Sequence, residues 1–153
     1  MLPSLLLAAT AGARSMTPLA AVSVAAARGD LPPQPGLLGL LANKWVTAGT
    51  LALAAGELAG DKMKSAPDRI VLAGLAARLV TGAVSAAVLE PKRKTLAGLL
   101  GAGVAVAASY PTFHARMRAL RDHGQTRSGL VEDALVVASA AAIVRSSTEA
   151  DSK

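Results

Sequence analysis

Leu51-Ala52-Leu53-Ala54-Ala55-Gly56-Glu57-Leu58-Ala59-Gly60-Asp61-Lys62 decides how this chain is read. It is an apolar helix that carries Glu57, then Asp61 one turn later, then Lys62. Residues four apart share a helix face, so both carboxylates point the same way. Gly56 and Gly60 lie beside them at the spacing that lets a second helix approach closely in lipid. Acids on a helix this apolar imply partners inside a bundle.

Working outward, the same helix reads back to Trp45, and Lys44-Trp45 forms a pair suited to headgroup level. Leu37 to Ala42 is a short apolar piece, read as an interfacial segment or the start of that helix. Before it, Pro32, Pro33 and Pro35 hold Arg28 to Pro35 in a loop. Leu5 to Ala27 is apolar except for Arg14, and is long enough to cross a bilayer core of about 30 Å. Pro18 removes a backbone donor there, so this first helix is expected to be interrupted near Pro18. A cleaved signal peptide is the rival reading. No Lys or Arg precedes the apolar run, and the run continues past Arg14, which disfavours it.

Downstream, Lys62 to Arg69 reads as a charged loop, with Asp68 capping the next helix. Ile70 to Leu89 carries one charge, Arg78. Glu90-Pro91-Lys92-Arg93-Lys94 is a sharp basic turn, and Thr95 to Phe113 has no charge at all. Gly98, Gly101, Ala102 and Ala105 give that helix a close-packing face, and Tyr110-Pro111 is expected to end or kink it. The basic stretch His114 to Arg127 belongs with headgroups or water. Leu130 to Val144 is the last helix, short for a full span, with Glu132 and Asp133 in its first turn. Residues 1–145 form one membrane domain, and 146–153 read as a disordered polar tail.

Composition agrees. Apolar residues make up 52% of the chain and charged residues 17%, against about 25% charged in soluble domains. Aromatics are 2%, and the bulk that they give a soluble core is missing. The net charge of +6 sits in short clusters between apolar runs, without aromatics for base stacking, so nucleic acid is not an expected partner. With no Cys there is no thiolate nucleophile. No nucleotide loop, Gly-x-Ser-x-Gly or His-Glu-x-x-His occurs, and His114 and His123 lack carboxylates at ligand spacing. Neither an enzyme nor a metal or other cofactor is expected.

The informative residues are the charges inside apolar runs. A charge at the bilayer centre costs roughly 2.5 to 3.5 kcal/mol on insertion scales, so Arg14 and Arg78 need partners. The carboxylates on offer are Glu57, Asp61, Glu132 and Asp133. At least one bidentate Arg–carboxylate bond is expected, most simply with Arg14 or Arg78 on Glu57. Ala13-Arg14-x-x-Thr17 also echoes Ala77-Arg78-x-x-Thr81, in the manner of transporter repeats. The candidate intramembrane polar site is Arg14, Thr17, Glu57, Asp61, Arg78, Glu132 and Asp133.

Gly12-Ala13-Arg14-Ser15-Met16-Thr17, Gly56-Glu57-Leu58-Ala59-Gly60-Asp61-Lys62, Ala76 to Ala83 and Val131-Glu132-Asp133-Ala134 occur in that order. Together they resemble a bacterial membrane family, number 4126 among the domains of unknown function. The resemblance implies a small multi-pass protein and assigns no activity. One departure is that Met63-Lys64-Ser65-Ala66 precedes Pro67, where relatives place a Pro closer to the Lys. The expectation is an all-α integral membrane helical bundle in the cell membrane, with four to five membrane helices, surrounded by the lipid bilayer and homo-oligomeric. A small transport-like or channel-like role leads, for an ion or small molecule the sequence does not name. The alternative is a structural or accessory protein whose charges are a packing clasp.

Overall fold

Proline and glycine punctuation accounts for most helix ends. The computed structural model describes residues 1–60 and 72–151. Its helices are α1 (Leu2–Ala13), α2 (Met16–Arg28), α3 (Lys44–Gly60), α4 (Leu72–Leu89), α5 (Lys94–His123) and α6 (Gln125–Asp151). Short 3-10 helices cover Gly36–Ala42 and Pro91–Arg93, and no strand occurs among the described residues. α2 stops at Gly29, whose φ of 80° suits glycine. The prolines that follow prevent its resumption. Asn43 accepts the Trp45 N–H at 2.9 Å and opens α3, and the Lys44 ammonium lies 5.9 Å from the Trp45 ring centre.

α1, α4 and α5 pack together through their smallest residues. A Cβ added to Gly82 on α4 would lie 2.9 Å from the Gly101 carbonyl oxygen of α5. One added to Gly12 on α1 would lie 2.7 Å from the Ala108 carbonyl carbon and 2.8 Å from the Ser109 nitrogen of α5. Backbones in such contact leave no room for a side chain, and the expected packing face of α5 is the one used. The glycines of α3 behave otherwise. A Cβ on Gly56 or Gly60 meets nothing within 4 Å among the described residues. α3 instead buries Thr50 and Ala54, the face it lays on α2.

Alanines fill much of the interior beside Leu7, Val22 and Val88, and many large apolar side chains face out. Ala8, Ala11, Ala86, Ala97, Ala105 and Ala140 are fully buried, while Leu72 is 84% and Leu99 70% exposed. Water would penalise that outer surface, whereas lipid would not. Among the described residues, two helices are long and apolar enough to cross a membrane, α4 and the stretch containing α5. They become three if the Gly36–Ala42 helix and α3, bent by 77°, form one broken span.

That is fewer than the four to five expected. The break after Ala13 divides the first apolar run into α1 of 12 and α2 of 13 residues, each short of the ~20 that a span needs. α6 reaches 27 residues, but charges at both ends confine its apolar part. Two other boundaries differ. α5 runs through Pro111 to His123 instead of ending. α6 continues to Asp151 where a disordered tail was expected, with the Ser146, Ser147 and Thr148 hydroxyls donating to carbonyls one turn back. The expectations for Asp61, the Lys62 to Arg69 loop and the Asp68 cap lie outside the described residues.

Candidate functional site

The site forms where the first apolar run breaks. α1 ends at Ala13, and Arg14 takes an extended backbone with φ −139° and ψ 109°. The Arg14 N–H still donates to the Thr10 carbonyl at 3.0 Å, closing α1. α2 restarts at Met16, with Pro18 in its first turn, where a missing donor costs nothing. The interruption expected near Pro18 therefore falls just upstream, at Arg14–Ser15.

A helix start leaves amides without acceptors and carries a partial positive charge. Glu57 of α3 supplies the acceptor. Its Oε1 accepts the Ser15 N–H at 2.8 Å and the Ser15 hydroxyl at 2.9 Å, and its Oε2 accepts the Met16 N–H at 2.8 Å. Both oxygens are thereby engaged. The arginine expected on Glu57 is not there, because the α2 amides take its place.

Arg14 pairs elsewhere. Its side chain is 1% exposed, and Nε and Nη2 both donate to Asp133 Oδ1 of α6, at 2.7 and 2.5 Å. The pairing is side-on, with two nitrogens on one oxygen, and not the fork-on-fork geometry expected. Glu132 Oε2 lies 3.7 Å from Arg14 Nη2 and accepts from Arg116 Nη1 at 2.8 Å. Arg14, Asp133, Glu132 and Arg116 thus join the α1–α2 break to α6 and α5.

Of the remaining predicted residues, Thr17 is 6% exposed, and its hydroxyl has no hydrogen-bond partner among the described residues. Arg78 is buried on α4 with Thr81, whose hydroxyl donates to the Arg78 carbonyl at 3.4 Å. The sequence echo therefore has a counterpart in burial. The backbone differs, since Arg14 sits at a break and Arg78 inside a helix. Asp61 lies outside the described residues.

Sequence reasoning missed Ser15 and Arg116. Arg116 was hidden in a basic stretch, yet Ser109, Thr112 and Arg116 follow one another at helical spacing on α5. Thr112 shows that this face is turned inward, because its hydroxyl donates to the Gly12 carbonyl of α1 at 3.1 Å.

Among the described residues, two hollows adjoin the cluster. One, between α2, α3 and α6, reaches Thr17 but not Arg14, Glu57 or Asp133. The other, between α5 and α6, is bordered by Arg116 and Glu132. No group of three or more His, Asp or Glu side chains that could hold a metal ion occurs among the described residues. The arrangement can neutralise buried charge and fasten three helices, α3, α5 and α6, to a backbone break.

The family described as Domain of unknown function (DUF4126) matches residues 1–146, in agreement with the resemblance read from the sequence. No curated protein and no solved structure matches the chain.

Proposed function

We propose that this chain, which belongs to the DUF4126 family, is a non-transporting, non-catalytic integral protein of the cell membrane. Its buried charges act as a packing clasp. One observation carries this reading. The carboxylate best placed for ion or proton traffic, Glu57, spends both oxygens on the Ser15 and Met16 donors. Arg14, next to it, is held on Asp133 at 1% exposure. Charges held this way fix the packing of helices against each other. The outward leucines and the two or three membrane-length helices support a lipid surround.

Transport, the first expectation from the sequence, retains one supporting feature. The start of α2 is a half-helix N-terminus facing a carboxylate, the element with which broken-helix transporters bind anionic groups. Flux in liposomes separates the two readings. The clasp predicts that the reconstituted protein passes protons, Na⁺, K⁺ and Cl⁻ no faster than protein-free vesicles. Flux through the wild type that Glu57→Gln abolishes would establish transport instead.

A further inference from the structure

α3 and α6 each pack on α2 and hardly touch each other, which leaves α2 as the floor of a half-open groove of about 390 Å³. Ala20, Ala21 and Ala25 of α2 form that floor, and Ala55 and Ala141 stand on the two walls. Ala55 and Ala141 are exposed positions on the rim of the groove. Small residues at these places keep the groove open.

α6 runs alongside α2 in the same direction. Asp133 meets Arg14 at one end, and Val144 clusters with Ala25 and Leu31 at the other. Arg145 and Arg28 therefore come together at the second end, with Asp30 beside them. Both arginines are exposed, and neither guanidinium has a hydrogen bond or ion pair among the described residues.

We infer that the groove holds one acyl chain of an anionic phospholipid, with the phosphate against Arg28 and Arg145. The inference rests on the membrane reading above. From Thr17 to Arg28 the floor is about 16 Å long at 1.5 Å per residue. One leaflet of hydrocarbon is about 15 Å deep, half of the bilayer core. Two arginines against one aspartate leave the open end positive, which favours an anionic headgroup over a zwitterionic one. An apolar trough left unfilled in lipid would forfeit contacts along its whole length, and an alkyl chain restores them.

Native mass spectrometry of the full chain, exchanged from detergent into phosphatidylglycerol or phosphatidylcholine, tests this. The wild type should retain one phosphatidylglycerol and little phosphatidylcholine. Arg28→Gln with Arg145→Gln should weaken phosphatidylglycerol retention by about tenfold. Ala55→Leu with Ala141→Leu, which fills the groove without touching the charge cluster, should abolish retention while the melting temperature holds. Equal retention of both lipids, or undiminished retention by the leucine variant, overturns the inference. A protein that needs detergent yet retains no lipid overturns the groove alone. One that stays monomeric in water without detergent overturns the membrane reading.

Discussion

Pro18 and Pro111 both lie in long apolar runs, yet the chain breaks beside the first and stays helical through the second. Proline chemistry is the same at both places, so the neighbours decide. At Ser15–Met16 a carboxylate from α3 waits for the freed amides, and an aspartate from α6 waits for the arginine that the break releases. Around Pro111 no carboxylate from another helix is offered to the backbone among the described residues. The Ser109 and Thr112 hydroxyls bond carbonyls of α5 itself, and Thr112 also reaches Gly12 on α1. Pro111 removes an internal hydrogen bond from α5, whereas Pro18 lies in the first turn of α2, where an amide has no intrahelical partner. A helix then divides where other helices satisfy what division exposes.

Three substitutions bear on this contrast. Arg14→Ala should have the largest effect, because it leaves Asp133 buried beside Glu132 without its arginine. A loss of about 3 to 5 kcal/mol is expected, read as a fall in melting temperature in detergent. Glu57→Ala should come next. It strips the acceptor from two amides and one hydroxyl, for a loss of about 2 kcal/mol or more, and hydrogen exchange should quicken at Ser15 and Met16 before it does in α5. Pro111→Ala should have the smallest effect and the opposite sign. Returning a donor to α5 should stabilise it by on the order of 1 kcal/mol. If Pro111→Ala changes the fold more than Glu57→Ala does, proline and not the neighbours governs the breaks.

The parts of this arrangement legible in the sequence are those set by local chemistry. A lone arginine in a run of Ala and Leu signals burial and a carboxylate partner whatever the tertiary fold, and Arg14 has both. The interruption of the first helix followed from Pro18 to within one turn, and the close-packing face of α5 from its Gly and Ala spacing. What failed depended on which helices lie side by side. Glu57 looked like the natural partner for an arginine because nothing local reveals that a broken helix will offer it amides. Asp133 is distant from Arg14 in sequence, and only the placement of α6 beside α1 unites them. The span count failed for a related reason. The break cost the first run its membrane length, and hydropathy registers composition without backbone continuity.

The central claim is that Arg14 and Asp133 are one clasp, and a double-mutant cycle on Arg14→Ala and Asp133→Ala, read by thermal stability in detergent, tests it most directly. Each single variant should be strongly destabilised by the loss of the buried Arg14–Asp133 bond. The double variant should be milder than the sum of the two, with a coupling of roughly 1 to 3 kcal/mol. Strict additivity of the two losses would contradict the clasp.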